Sequence, residues 1–482
     1  AHQSFHPANL QRPTLFRPIF AVILSSSFLR MPLQPCGGRF AARRYVFCLS
    51  EKVVRRPRKT ELLEEALFPA LSNAAEQDDD IAFELFVQAV IWIASMRDLS
   101  RKKLDCSEAY VPIVDEQGDL VWSLAGVSYL GEGWGLPQEH ERLLAAAYPG
   151  GRLVPFGQLC ERLGLAEDAV TSWRTAVEVM GVHRLPRVVS YAERQAPFVS
   201  YNGNLQVVGT PTLTGGENPA LDKIYQKYVQ HLAATNSTRW THRLPHDVSD
   251  VFWIDDLELA TRREAIVDLV LGHHEQYVQR LSVSLGRAGQ GPWSTVSVMW
   301  VFALSALGWP VLPGEQGVGM KPVRVSAKQL WRLPDGARRA LYAQMLNVVP
   351  HGLAGASRLL GAIGVPSVEE APLSRLIGAL GELSRRLDDE RLNTRREAHS
   401  LAIELYTQIN SRLEREQLSG VPSGLKLPLL RDRRIESVDP GEAGVVVLFD
   451  DEPARARHIA GLERAYRVPV ARDARSEEHT SE

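Results

Sequence analysis

Apolar residues return at helical spacing over much of the chain. From Ile81 to Met96, Phe83, Phe86, Val87, Val90 and Ile93/Ala94 fall on one side, which predicts a helix. Glu61 to Leu71 predicts another. The run Val87 to Met96 is strongly apolar but far shorter than the ~20 residues that cross a bilayer, so a buried helix is expected. A helix is expected to begin after Pro137 and run through Leu143 to Ala147. Pro155 to Pro186 reads as two short helices separated by Gly164. The chain from Val188 to Arg243 reads as loop-rich, with a helix around Ile224, Tyr225 and Tyr228. A long helix is predicted from Thr261 to Leu285, where Ile266, Leu269, Val270, His273, Tyr277 and Leu281 share a face. Gly291 to Leu307 predicts an apolar, Trp-containing helix. Two late stripes, Leu373/Leu376/Ile377/Leu380/Leu383/Leu387 and Leu401/Leu405/Ile409/Leu413, predict an antiparallel helix pair. Ala454 to Tyr466 reads as one more helix.

Between these helices a second grammar recurs. Tyr110-Val-Pro-Ile-Val leads through the polar turn Asp115 to Asp119 into Leu120 to Trp122, then into the aromatic, Gly-rich stretch Tyr129 to Gly135. Gly308 to Gly336 repeats it as Trp-Pro-Val-Leu, a Gly turn, Val-Arg-Val and Leu-Trp-Arg-Leu-Pro. A looser version spans Leu427 to Pro453. Each reads as two strands across a turn, docked beside helices. The fold class expected is α+β, a mainly helical chain of several domains with short β-hairpin units between helix pairs.

The length of 482 residues suits two to four cores. The expected segmentation is a non-native or disordered leader at 1–59, then 60–190, 191–306, 307–425 and 426–474. The last residues, 475–482 (RSEEHTSE), read as the translation of a sequencing adapter. A net charge of -2 gives no global pull toward nucleic acid or anionic lipid. Cys36, Cys48, Cys106 and Cys160 form no Cys-x-x-Cys pair and suit free thiols in a reducing, cytoplasmic compartment.

Candidate chemistry is sparse. Glu315-Gln-Gly317-Val-Gly319-Met320 lies near the Asp-x-Gly-x-Gly turn that seats adenine in HSP90-type ATPases, and Glu275-x-x-x-Gln279 lies near their Glu-x-x-x-Asn helix. Glu315 and Gln279 are each one methylene too long for a site that tolerates sub-ångström error only, so an ordinary strand-connecting turn is the better expectation. Lys321, Arg324, Lys328, Arg332, Arg338 and Arg339, against Asp335, make the most basic stretch after the leader. It is expected to be solvated surface, with contact to nucleic acid or an acidic partner as the sharper alternative. The helix pair at 155–186 has helix-turn-helix form, but Glu167, Asp168 and Glu178 against Arg174 disfavour DNA reading. His273-His274-Glu275 lacks the four-residue spacing of a helical zinc site, so no metal is expected there. Asp255-Asp256 and Asp450-Asp451 end β-prone runs and are expected to be solvated strand ends.

Tyr110-Val-Pro-Ile…Gly118…Tyr129…Gly133-Trp134, Ser172-Trp173…Met180-Gly181-Val182, Trp309-Pro-Val-Leu-Pro313…Leu330-Trp331 and Leu448-Phe-Asp-Asp451 give the chain a resemblance. It resembles the region downstream of the ATPase domain in bacterial sacsin-like proteins of the HSP90 ATPase type. The resemblance implies a chaperone-like or defence-associated parent with ATP and magnesium bound in another, upstream domain. It implies no cofactor and no catalytic residue within this stretch, and a protein partner or client. Nucleic acid remains the alternative partner; no membrane contact is expected.

Overall fold

The computed structural model describes residues 59–96, 104–163, 169–193, 195–213, 218–287, 292–309, 312–315, 323–333, 339, 342–343, 346–369, 371, 373–388, 395–413, 425–431, 434–442, 445–448 and 465–468. It is an α+β chain that divides by contacts after Arg187. Each unit is described by itself.

In the first unit, a short helical entry at Lys59–Leu67 continues into α1 (Phe68–Gln77) and α2 (Asp79–Ala94). The Asp78 carboxylate caps α2 by accepting from the Ile81 N–H at 3.2 Å. Of the residues the spacing marks on α2, Phe83, Phe86, Val90 and Ile93 are buried, Val87 is half-buried and Ala94 is exposed, and Ala82, Leu85 and Ala89 also face inward. They meet β1 (Tyr110–Val114), β2 (Leu120–Leu124) and β3 (Tyr129–Leu130) in one core. Helix α3 (Gln138–Ala147) leads to β4 (Leu153–Val154), and α4 (Phe156–Leu163) and α5 (Val170–Met180) follow.

The second unit opens with β5 (Val188–Tyr191), β6 (Phe198–Tyr201) and β7 (Asn204–Val207), so the stretch expected to be loop holds three strands. Helix α6 (Pro219–Thr235) starts at Asn218, whose side chain accepts from the Leu221 N–H at 3.1 Å. Then come β8 (Pro245–Val248), β9 (Val251–Ile254), α7 (Arg263–Gly272), β10 (Ser282–Arg287), β11 (Pro292–Ser297) and α8 (Met299–Ala306). Two expected helices are thus corrected. The Thr261–Leu285 helix stops at Gly272, passes through short 3-10 turns and becomes β10. The Gly291–Leu307 stretch is a strand followed by a shorter helix. In both places β-branched and Ser residues (Ser-Val-Ser-Leu, Ser-Thr-Val-Ser) pair as a hairpin, and that pairing overrides the apolar spacing. A five-stranded sheet in the order β11-β10-β8-β6-β7 results.

The chain continues through β12 (Leu312–Gly314), β13 (Val323–Val325), β14 (Leu330–Trp331), β15 (Asn347–Val348), α9 (Ser357–Ile363), α10 (Leu373–Asp388) and α11 (Arg395–Leu413). Helices α10 and α11 pack as the predicted pair, burying Leu376, Leu380, Leu383, Leu401 and Leu405 against Trp331 and Tyr342. The last strands are β16 (Leu427–Arg431), β17 (Arg434–Val438), β18 (Val446–Leu448) and β19 (Ala465–Arg467). Ala465 and Tyr466 are therefore strand; the remainder of the helix expected there lies outside the described residues.

The three hairpins belong to a larger unit, present at 110–183, 312–367 and 427–468. Its strands run in the spatial order second, first, fourth, third: β2-β1-β4-β3, β13-β12-β15-β14 and β17-β16-β19-β18. The register is the same each time. The first strand carries a proline opposite its hairpin partner, as Pro112↔Trp122, Pro313↔Arg324 and Pro428↔Ser437. Two residues later the first strand meets the fourth, as Val114↔Leu153, Glu315↔Val348 and Leu430↔Arg467. The fourth strand runs parallel to the third in all three. One residue beyond the meeting point stands Val-Pro: Val154-Pro155, Val349-Pro350 and Val468-Pro469.

Both prolines have a physical role. Peptide groups two apart on a strand face the same neighbour, so each first-strand proline turns its missing N–H toward the fourth strand. The ladder to that strand cannot extend in that direction, and the contact stays one residue long. In the first two modules the second proline keeps the preceding valine extended and suits the entry to the helical segment that follows. After that helix the first two modules close alike. Gly181 (φ 113°) and Gly364 (φ 91°) end α5 and α9 in the left-handed region. The next residue then bonds back, Val182 N–H to Val177 O at 3.0 Å and Val365 N–H to Leu360 O at 2.9 Å. The chain next runs parallel beside the third strand, as Tyr129↔His183 and Arg332↔Ser367.

Candidate functional site

Glu315 is the residue at which β12 meets β15. Its N–H donates to Val348 O at 2.8 Å and its carboxylate pairs with Arg339 at 3.1 Å. It occupies the same place as Val114 and Leu430 in the other modules, which makes it part of the sheet register. Gly317 and Gly319 lie outside the described residues. Glu275 and Gln279, expected on one helix face, stand exposed on two separate 3-10 turns. The helix that would set a Glu-x-x-x-Asn-like pair at one spacing is absent from that stretch.

Three residues of the basic stretch are engaged within the protein. Arg324 pairs with Asp268 and reaches Glu264 at 3.8 Å, both on α7. Arg332 donates to Val365 O at 2.8 Å and Ser357 O at 3.0 Å, and its guanidinium lies over Gly361. Arg339 holds Glu315. Lys328 is exposed, and Lys321 and Arg338 lie outside the described residues. In the helix pair, Arg174 donates to the carbonyls of Trp134 and Gly135 at 3.0 and 3.3 Å. Trp173, Val177 and Met180 of α5 are buried in the core of the first unit.

Asp255 and Asp256 correct another expectation, for both are buried at 8% exposure. Asp256 adopts φ 61° and pairs with Arg262. Nearby, Glu258 accepts from Asn218 Nδ2 at 2.7 Å and Trp253 Nε1 at 2.8 Å, so the corner after β9 is a bonded network. His273 is half-buried where a core-facing side chain is expected, because α7 ends at Gly272. Half-buried too is His274, whose ring lies 3.3 Å from where a Cβ on Gly355 would stand. Asp450 and Asp451 lie outside the described residues. Among the described residues no group of three His, Cys, Asp or Glu side chains is placed to hold a metal ion.

A buried titratable cluster lies around Glu193, where the sequence shows no motif. Glu193 accepts from the Tyr225 hydroxyl at 2.5 Å, with Asp247 and Tyr228 in its field. Burial pushes the Glu193 carboxyl up to about 7, with Asp247 adding to the rise and Tyr225 opposing it. Burial also raises Asp247 and, more strongly, the Tyr225 hydroxyl. The Tyr228 hydroxyl donates to Ser297 O at 2.7 Å. These side chains come from the segment after β5, from α6 and from β8; a lone Glu before a Pro-containing loop gives no motif to find. Chemically, the group can take up or release a proton near neutrality and so tie the segment after β5 to α6.

No protein-family model, curated protein or solved structure matches the chain. Among the described residues no helix is long and apolar enough to cross a membrane.

Proposed function

We propose that this chain is a non-catalytic interaction or force-relaying region of a sacsin-like, HSP90-type ATPase protein of chaperone-like or defence-associated role. The observation that supports it most is the module built three times on one register. A repeated unit that keeps its pairing while its surface residues change is how chains present successive binding surfaces. Glu315, the residue nearest to an adenine-contacting acid, is taken up by that register, and ATP with magnesium would belong to another domain. The expected partner is a protein or client, and the expected compartment is the cytoplasm.

The DNA flanking the reading frame tests this. An upstream segment encoding Glu-x-x-x-Asn and Asp-x-Gly-x-Gly is the expected finding, together with no saturable Mg-ATP binding by this chain. An intact gene without that segment, or Mg-ATP binding abolished by Glu315→Ala, would overturn the reading. The alternative is nucleic-acid contact through the stretch from Lys321 to Arg339 or the 155–186 helix pair. It requires affinity that falls steeply with added salt. The pairing of Arg324 with Asp268 and of Arg339 with Glu315 leaves less free charge for that role.

A further inference from the structure

The second strand is an outer strand in each module, and the three copies treat it differently. In the second module Arg324 stands at the centre of β13 and is paired with α7. In the third, β17 carries Arg434 and Glu436. Charges on an outer strand are a usual way to prevent pairing with a foreign chain. In the first module β2 reads Leu-Val-Trp-Ser-Leu, with no charge, and leaves Val121 and Leu124 38% and 37% exposed.

The backbone of β2 is suited to accept a neighbour. Val121 and Ser123 turn their peptide groups toward β1, in register with Ile113 and Val111. The flanking bonds Ala125 N–H to Ala109 O and Asp115 N–H to Asp119 O fix this phase. Leu120 and Trp122 therefore point their N–H and C=O groups outward, where no described strand lies. The side chain of Trp122 is held from behind, by Asp79 at 2.7 Å and by Phe83 at 4.9 Å between ring centroids, so the strand is rigidly presented.

The charges around the strand specify its partner. Asp115, Glu116 and Asp119 form the turn at its start, and Asp105 and Glu108 precede the residue bonded at its far end. From residue 105 to 119 there are five acids and no Lys or Arg. Nearby cations are Arg187, beyond the far end, which donates to Gly126 O at 2.7 Å, and Arg162, behind the strand, which is paired with Asp79 and Asp80. Arg101, Lys102 and Lys103 precede the acids in sequence and lie outside the described residues. We propose that the outer edge of β2 takes an extended peptide as an added strand, apolar at its centre and basic at its ends. Main-chain bonds to Leu120 and Trp122 hold it, Val121 packs beside its apolar residue, and the flanking acids receive its cations. This rests on the reading of the chain as an interaction scaffold and names one client chemistry for it.

The test uses the full chain and a labelled peptide, KKTVTVKK, followed by fluorescence anisotropy at low salt. Saturable binding is expected, weakened at least tenfold by Val121→Lys and by the pair Glu108→Lys with Glu116→Lys. EETVTVEE should not bind, and neither should KKTVTVKK with all four central amides N-methylated, which keeps the charge but blocks pairing in either strand direction. Because the methylated peptide needs no altered protein, its result stands even where a variant folds poorly. Equal binding of the methylated peptide, indifference to Val121→Lys, or no binding at all would overturn the proposal. So would sedimentation showing that Val121→Lys breaks a dimer of the chain without changing peptide affinity. Failure of the peptide with no Mg-ATP binding removes this edge and leaves the scaffold reading standing; Mg-ATP binding removes the scaffold reading itself.

Discussion

The first and second modules share their strand order and the register of the first-strand proline and the meeting residue, yet each fastens to an earlier helix by opposite chemistry. Opposite the proline of the first strand stands Trp122 in one and Arg324 in the other. Trp122 packs edge-on against Phe83 and donates to Asp79, both on α2. Arg324 reaches Asp268 and Glu264 on α7. Register is thus set by backbone constraints, the two prolines and the closing glycine, while attachment is left to whichever side chain fills one outward position. A unit built so can be copied and re-tasked, since changing that position leaves the pairing intact.

The largest expected effect comes from breaking the apolar attachment. Trp122→Ala should destabilise the first unit by about 3 kcal/mol, as the loss of a large packed aromatic does elsewhere. Residue-resolved hydrogen exchange should show α2 and β1 losing protection together while β12 to β15 are unchanged.

A comparable effect should appear within the second unit, upstream of its first module, and depend on pH. The Glu193 carboxyl titrates near 7 in the folded chain against an ordinary value of 4.5. The folded state therefore holds a proton that the unfolded state has released, so stability is full below the lower value and falls as pH rises through the higher one. Glu193→Gln removes that loss and should be the more stable form at pH 8 by up to about 3 kcal/mol. The two proteins should converge near pH 4, and chemical denaturation at several pH values would show it. Burial lowers the His246 imidazole, which changes stability in the opposite sense, and raises the Asp247 carboxyl, which acts in the same sense; both groups are common to the two proteins.

Gly364→Ala should cost the second module about 1 kcal/mol, since φ 91° strains any residue with a Cβ. Gly181→Ala should do the same to the first, measured by thermal melting. The smallest effect should be Arg324→Ala, no more than about 1 kcal/mol for a partly exposed ion pair, and it should vanish in high salt. A salt-insensitive loss there would mean that the two attachments are alike after all.

The hairpins were legible because each is a short β-prone run, a Gly or polar turn and a second run. The rest of the module was harder to see. Its third and fourth strands are two residues long in the first two copies, and pairs such as Leu153-Val154 or Asn347-Val348 carry no period. The Val-Pro after each fourth strand was a usable signal, readable only by aligning the three copies on the meeting residue. Helices with broad apolar stripes, such as α2 and α10, followed their spacing. The misread ones, after Gly272 and before Met299, lie where β pairing with distant residues outweighed local spacing. Of the site residues, Glu315 and the arginines were found as residues, but their partners on α7 and β15 come from sequence positions that no local pattern connects.

Cysteine cross-linking tests the shared register most directly. With Cys36, Cys48, Cys106 and Cys160 replaced, the pairs Val114→Cys/Leu153→Cys, Glu315→Cys/Val348→Cys and Leu430→Cys/Arg467→Cys should each close a disulfide under mild oxidation. Partners shifted by one residue should not. Closure of all three with open shifted controls is the result one repeated module requires. Closure in one copy alone, or preferential closure of the shifted pairs, would show that the copies do not share a fold.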